Sequence, residues 1–237
     1  MRLFKRSNKT ETNPDFEAFK SDISWFIKPN SKIEFPDFDG VRLSEEFRAT
    51  FPKLSELIDK SRQTHVAIDS VNYLLFAWDS KEGQICGWLN QLESPEAIGC
   101  ELIEEHELLL RNIGGIKESF NEPDDAFSNN QNFLFLGSEC TRGIGDWDEY
   151  YTMACEDHQK EEIDHSNLLA FVQEANGALT LYEPESKKVL LFSHDHYFDH
   201  VEVMEHQPEY TFHTIKNVDT FEDYVEELAR QWGEIIK

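Results

Sequence analysis

The spacing of apolar positions predicts helices near both ends of the chain. Asn13-Pro14-Asp15 combines an N-cap residue, a proline at the first helical position and an acidic first turn, which together favour a helix start. Shorter helices are predicted after Ser44 and Pro52. Near the C-terminus, Asp219 or Thr220 is the expected N-cap of an amphipathic helix. Its apolar stripe consists of Phe221, Tyr224, Val225, Leu228, Trp232, Ile235 and Ile236.

Between these helices, the chain contains short apolar runs that are typical of antiparallel strands. Residues 71–78 and 84–89 predict a hairpin. Residues 168–193 predict a three-strand meander. Its first turn is Asn176-Gly177, a pair that adopts positive φ at low steric cost. Residues 150–155 predict a further strand.

The grouping of these elements indicates the fold class. Helical spacing returns over residues 98–113 and ends at Gly114-Gly115, which supplies a left-handed C-cap. Because strands and helices are segregated, we expect an α+β fold with a mainly antiparallel, twisted sheet on which the helices pack. We divide the chain into a flexible basic N-terminus (1–12), an α/β extension (13–92) packed on the main domain, and the main domain itself (93–237).

The composition describes a folded and strongly acidic protein. Of its 237 residues, 22 are Lys or Arg and 47 are Asp or Glu, so the formal net charge is −25. A hydrophobic fraction of 39% is too high for a disordered acidic tail. A surface of this charge repels phosphate backbones and anionic lipids and attracts basic proteins. We therefore expect no direct binding to nucleic acid.

No targeting or membrane-spanning segment is recognisable in the sequence. There is no run of the roughly 20 apolar residues that a bilayer requires, and no apolar signal core follows the first charges. Four widely spaced cysteines form no C-x-x-C pair: Cys86, Cys100, Cys140 and Cys155. This pattern favours reduced thiols and a cytoplasmic protein that does not associate with membranes.

The candidate chemistry is a histidine-rich segment after the meander. The possible metal ligands in it are His194, His196, Asp199 and His200. Their order nearly reproduces the H-x-H-x-D-H signature of metallo-β-lactamase-type hydrolases, but contains one residue too many. No nucleophile elbow, phosphate-binding loop or H-E-x-x-H motif is present. We therefore expect no enzyme activity, metal or cofactor, and keep a metal-dependent hydrolase as the alternative.

Four stretches of the main domain resemble a known family. They are residues 108–116, 169–177, 189–196 and 221–225, which cover a helix end, two strands and the start of the last helix. On these stretches, residues 93–237 resemble the SUKH superfamily, whose bacterial members include many toxin-immunity proteins. The resemblance implies a cytoplasmic binding module without chemistry of its own, which neutralises a toxin such as a nuclease or deaminase.

The expected partner is a basic protein, for example a toxin domain. A nuclease holds phosphates on a basic face, which an acidic inhibitor can cover. Trp and Tyr interleave with acids in residues 145–151, a composition that suits an interface. The predicted partner-binding residues are Glu118, Glu122, Asp146, Trp147, Asp148, Glu149, Asp195 and Asp199. A DNA mimic that occupies a nucleic-acid-binding protein is a further possibility.

Overall fold

The computed structural model describes residues 13–124, 126–195 and 199–237. The predicted flexible basic segment 1–12 lies outside the described residues. In the described part, twelve strands form one antiparallel sheet in the order β1-β2-β3-β4-β5-β6-β8-β9-β10-β12-β11, and β7 also pairs with β8. The strands are β1 (Ile33–Glu34), β2 (Arg62–Ile68), β3 (Val71–Asp79), β4 (Ile85–Gln91), β5 (Gly115–Phe120), β6 (Gln131–Leu134), β7 (Thr141–Arg142), β8 (Leu169–Glu174), β9 (Leu179–Tyr182), β10 (Val189–Phe192), β11 (Val201–Val203) and β12 (Phe212–Ile215).

Helices cover both faces of this sheet, so the α+β prediction is confirmed. They are α1 (Pro14–Asp22), α2 (Glu45–Thr50), α3 (Pro52–Asp59), α4 (Glu104–Ile113), α5 (Asp148–His158) and α6 (Phe221–Ile235). On the first face, α2, α3, α4 and α6 share the largest apolar cluster with nearly the whole length of the sheet. On the second face, α1 packs on β2 to β5, and α5 packs on β8, β9, β10 and β12.

The helix ends follow from local hydrogen bonding. The Asn13 side chain accepts hydrogen bonds from two backbone N–H groups of the first turn of α1, as the sequence predicts. Ser44 caps α2 in the same way through the N–H of Phe47. Thr220 and Asp223 form a reciprocal capping box at α6. At the end of α4, Gly114 takes φ 73° as predicted, but its ψ of 176° lies outside the left-handed helical region, so the cap is an extended glycine and not the predicted left-handed one.

The buried side of α6 brings three tryptophans together. Trp232 contacts Trp88 of β4 at a ring-centroid distance of 5.1 Å and Trp78 of β3 at 5.6 Å. Its indole Nε1 donates a hydrogen bond of 2.9 Å to the Ser128 hydroxyl. The last helix is therefore fixed both to β3 and β4 and to the segment before β6.

One predicted element has the wrong type. Residues 150–155 form part of α5, not a strand. Tyr150, Tyr151 and Thr152 favour strands by propensity, but tertiary packing overrides this preference. Tyr151 and Cys155 are four residues apart, so on a helix both side chains reach the second face of the sheet, where both are buried.

The sheet continues across residue 92. β4 of the predicted extension pairs with β5 of the predicted main domain over Gly87–Gln91 and Gly115–Phe120. The division at this residue stays a prediction, but the backbone pairing places both parts in a single sheet.

Candidate functional site

The acidic and aromatic segment lies at the N-terminal end of α5. A short 3-10 turn, Gly145–Trp147, leads directly into the helix. Asp148 and Glu149 occupy its first turn, where negative charge interacts favourably with the helix dipole. Tyr151 is buried and attaches the helix to the sheet. The side chains of Asp148 and Glu149 are exposed to solvent.

Trp147 is a half-buried and well-held aromatic side chain. Its indole Nε1 donates a 3.0 Å hydrogen bond to the carbonyl oxygen of Gly177 in the meander turn. The indole also stacks on the His194 ring, with a centroid distance of 3.6 Å and an interplanar angle of 20°. A side chain at position 177 would have a Cβ 3.2 Å from Trp147. The glycine of the predicted Asn-Gly turn therefore also leaves room for this indole.

Asp195 and Tyr150 complete this surface. The Asn176 side-chain amide donates a 3.4 Å hydrogen bond to Asp195. The Tyr150 hydroxyl lies within hydrogen-bond distance of two carbonyl oxygens, of His194 at 3.1 Å and of Tyr210 at 3.2 Å. Burial, and then the charge of Asp195, raise the pKa of Tyr150. The phenol therefore stays neutral and ties the α5 start to the segments after β10 and before β12.

We call this set of residues the α5 surface: Asp146, Trp147, Asp148, Glu149 and Asp195. Asp146 and Glu149 are exposed and form no ion pair with any described residue. Asp148 lies 3.8 Å from the His165 ring nitrogen, a weak contact for an exposed carboxylate. The exposed carboxylates of Asp146, Asp148 and Glu149 therefore keep most of their negative potential available to a cationic partner.

Two other predicted interface residues, Glu118 and Glu122, are held in a different environment. Glu118 pairs across the ladder with Leu89, whose side chain belongs to the cluster under α1. Its exposure is only 8%. Burial raises the pKa of each carboxyl from 4.5 to about 7. Near neutral pH, these two carboxyls consequently carry much less negative charge than the α5 surface does.

This burial predicts an unusual pH dependence of stability. The pKa of Glu118 is higher in the folded than in the unfolded chain, so between about pH 4.5 and 7 the folded chain binds more protons. Glu118 therefore lowers the free energy of unfolding as the pH rises through this range. We expect Glu118→Gln to raise the free energy of unfolding by about 1–2 kcal/mol at about pH 8, a value reduced for partial solvent screening. Near pH 4.5 the gain should vanish.

Urea unfolding at the two pH values measures this effect. Glu56→Gln, at an exposed position of α3, is the matched control and should change stability at neither pH. An equal gain for Glu118→Gln at both pH values would contradict a role for ionisation.

The described members of the histidine-rich segment are separated by the sheet. His194 stacks on Trp147, which packs against the cluster under α5. His200 lies 5.3 Å from the ring of Phe127, which belongs to the first-face core. Asp199 is exposed, and its carbonyl oxygen accepts a hydrogen bond from the Lys216 ammonium. His196 lies outside the described residues.

No metal centre is assembled by residues 13–124, 126–195 and 199–237, which contain no suitable group of three or more His, Cys, Asp or Glu side chains. The alternative ligand set therefore lacks a common site for its described members. Sequence reasoning also missed the role of His194 as the stacking platform of Trp147. Its only local signal is an aromatic, acidic neighbourhood directly after a strand.

A cleft of about 910 Å³ opens on the first face beside α6. Glu174, Thr180 and Tyr224 are buried residues that line it, and Asp199 and His200 lie at its border. Its other charged lining groups are Asp124, Lys216, Glu227 and Arg230. Since acidic and basic side chains are mixed, the lining does not select a ligand of one charge.

Asp199 lines this cleft on the first face, whereas α5 packs on the second face. The two therefore face different parts of the molecule.

Comparison with protein-family models, with characterised proteins and with solved structures found no match to this chain. Within the described residues, no helix is long and apolar enough to cross a membrane.

Proposed function

We propose that this protein is a non-catalytic binding module and that the α5 surface docks on a basic protein. The observation that carries the proposal is the group of exposed carboxylates of Asp146, Asp148 and Glu149 beside the immobilised Trp147 indole. The resemblance to SUKH immunity proteins supports the same reading, and under it the partner is a cytoplasmic toxin domain, a nuclease or a deaminase.

The two components of the surface have different physical roles. Exposed carboxylates accelerate the encounter with a cationic face and orient it, and this contribution weakens as salt screens charges beyond about 8–10 Å. A tryptophan that is held before binding loses little conformational freedom on binding, so its buried area contributes efficiently to affinity. Trp147 meets this condition because its indole is fixed by a hydrogen bond and by stacking.

A toxin domain that processes nucleic acid fits this chemistry. Such a domain needs a basic surface to hold phosphates, and the net charge of −25 is opposite in sign. By covering that surface, the module excludes the substrate without performing a reaction. The residues that bind are then the acids and the aromatic anchor, and no catalytic residue is required.

The test is capture of the partner from the source organism with three forms of the protein. They are the wild type, the α5 variant Asp146→Lys/Asp148→Lys/Glu149→Lys, and the control Glu56→Lys/Glu82→Lys/Glu101→Lys. The control acids are exposed, belong to segments other than α5 and its preceding turn, and change the net charge equally. The captured protein is then purified and its binding is measured at low and high salt.

We expect the α5 variant to bind about 100-fold more weakly at low salt, and the control to bind like the wild type. We further expect Trp147→Ala to cost about 2 kcal/mol of binding free energy, roughly 30-fold in affinity, with little dependence on salt. Equal losses in the α5 variant and in the control would reduce the effect to net charge and overturn the assignment of this surface. Inhibition of a nuclease or deaminase activity by the wild type at equimolar concentration would identify the partner class.

The metal-dependent hydrolase stays an untested prediction, because His196 is not among the described residues. The separation of His194 from His200 gives it no geometric support.

A further inference from the structure

Two of the four cysteines meet beside the first-face core. Cys100 lies in the connection between β4 and α4, and Cys140 lies in the turn that precedes β7. The two thiols lie close enough for each to shift the pKa of the other. Both side chains are partly exposed and pack against the edge of the core cluster. A small oxidant can therefore reach them.

The thiols share one backbone frame. The Sγ of Cys140 donates a hydrogen bond of 3.3 Å to the carbonyl oxygen of Leu136. The Sγ of Cys100 lies 4.0 Å from the next carbonyl oxygen along the chain, that of Gly137. Because consecutive carbonyl groups contact the two sulfurs, the turn fixes their relative position.

The turn itself is held firmly. The Glu93 carboxylate accepts hydrogen bonds from the backbone N–H groups of Gly137 at 2.8 Å and of Ser138 at 3.0 Å. A Cβ at position 137 would lie 2.9 Å from the Ile98 side chain, so the turn and the β4–α4 connection are in close packing. Both segments that carry the thiols are thus attached to each other by contacts that do not involve sulfur.

We propose that Cys100 and Cys140 are a reversible dithiol–disulfide pair, which a small disulfide such as glutathione disulfide oxidises. The Cys100 thiolate attacks one sulfur of the small disulfide, breaks its S–S bond and releases one small thiolate. Cys140 then loses its proton to solvent and attacks the Cys100 sulfur of the mixed disulfide, which releases the second small thiolate. Two protein thiols are oxidised by two electrons, and one small disulfide is reduced to two thiols.

The surroundings favour this order of attack. The interaction with the Cys140 side chain, together with the charge of the Arg142 guanidinium, lowers the pKa of Cys100 to about 7. The pKa of Cys140 is raised, so it remains a thiol until Cys100 has reacted. Thiolates are the reactive form, and Cys100 therefore acts as the nucleophile and Cys140 as the resolving thiol.

The other two cysteines provide an internal comparison. Cys86 and Cys155 are buried. Burial raises the pKa of Cys86 to about 11 and also raises the pKa of Cys155. Both are expected to stay reduced under conditions that oxidise the proposed pair.

The experiment places the full-length protein in glutathione buffers that range from reduced to oxidised. Samples are quenched with acid, alkylated and examined by intact and peptide mass spectrometry. We expect the free thiols to fall from four to two, so that the intact protein takes up two alkyl groups in place of four, and we expect a linked peptide pair containing Cys100 and Cys140. Dithiothreitol should restore all four thiols.

The single variants test the roles of the two sulfurs. Cys140→Ser should accumulate a glutathione adduct on Cys100, whereas Cys100→Ser should form neither the adduct nor the link at a comparable rate. If a variant fails to fold, the wild-type peptide map still shows whether Cys100 and Cys140 form a disulfide in oxidising buffer. Four free thiols in the most oxidised buffer, or glutathione on both cysteines without a link, would overturn the proposal.

Discussion

Trp232→Ala is expected to lower the free energy of unfolding by about 3–5 kcal/mol. Trp232 has no solvent exposure, and its ring contacts Trp78 and Trp88. The truncation leaves a large cavity between α6 and the sheet and removes the hydrogen bond to Ser128, whose hydroxyl then lacks its indole partner. These losses act together because the same side chain makes all the contacts.

Urea unfolding followed by far-ultraviolet circular dichroism measures this loss. Trp25→Ala is the matched control, since the Trp25 side chain is 70% exposed and should change stability by less than about 0.5 kcal/mol. Trp232→Phe keeps an aromatic ring, so its loss in free energy of unfolding should lie between those of Trp232→Ala and Trp25→Ala. A loss below about 1 kcal/mol for Trp232→Ala would mean that α6 does not depend on the tryptophan cluster.

His106→Ala should have the second largest effect, a loss of about 3 kcal/mol near pH 7.5. His106 is fully buried in α4. Its Nε2 lies 2.7 Å from the carbonyl oxygen of Phe135, and its Nδ1 lies 3.3 Å from the Tyr182 hydroxyl. A neutral ring with the proton on Nε2 satisfies both contacts, because Nε2–H donates to the carbonyl and Nδ1 accepts from the phenol. Truncation leaves buried polar groups unpaired as well as a cavity.

The same residue makes the fold sensitive to acid. Burial lowers the pKa of His106 from 6.5 to about 4. Below the unfolded value only the unfolded chain takes up this proton, so the wild type loses stability as pH falls from about 6.5 to 4. The difference between the wild type and His106→Ala should therefore shrink by roughly 1–2 kcal/mol between pH 7.5 and pH 5.

Unfolding curves at these two pH values provide the measurement. His158→Ala, at the exposed end of α5, is the control and should cost less than about 0.5 kcal/mol at pH 7.5. A gap for His106→Ala that stays constant or widens in acid would show that His106 is charged in the folded state.

The elements that the sequence predicts correctly are those with strong local signals. The hairpin appears as β3 and β4, and the meander appears as β8, β9 and β10. The apolar stripe of α6 is also confirmed, since Phe221 and Trp232 are buried on one side of it. Turn chemistry and helical spacing are properties of neighbouring residues, so a single sequence contains them.

The elements that escaped prediction depend on distant contacts. β2 has a mixed polar sequence, and its alternation is weak. Val66 and Ile68 are buried against α1, and the residue between them is less buried. β5 lies in the middle of the sheet, but its charged residues Lys117 and Glu118 weaken the apolar pattern by which a strand is predicted. Helical spacing of the apolar residues from Phe16 to Ile27 predicts that the first helix reaches Ile27, but α1 ends at Asp22. Ile23, Phe26 and Ile27 pack against the core beyond the helix, so apolar spacing alone overstated its length.

The candidate site shows the same division. The sequence indicated that Asp146, Asp148 and Glu149 share a surface with Trp147, because these residues are adjacent. It assigned Asp195 to the same interface only on charge, since the contact of Asp195 with the meander turn requires the meander to fold. It also grouped Glu118, Glu122 and Asp199 with the α5 surface on charge alone. Glu118 instead pairs with Leu89 of a buried cluster, Glu122 lines a second cleft, and Asp199 lines the cleft on the first face.

The two ends of the sheet are short. β1 contains two residues and β11 contains three, so in the described part of the chain each end exposes only a few unpaired backbone groups. Charged side chains accompany both strands, including Lys32, Glu34 and Glu202. Long exposed edges allow chains to polymerise by strand addition, and short charged edges oppose it. The protein is therefore expected to resist fibril formation at high concentration even though its sheet is unusually wide.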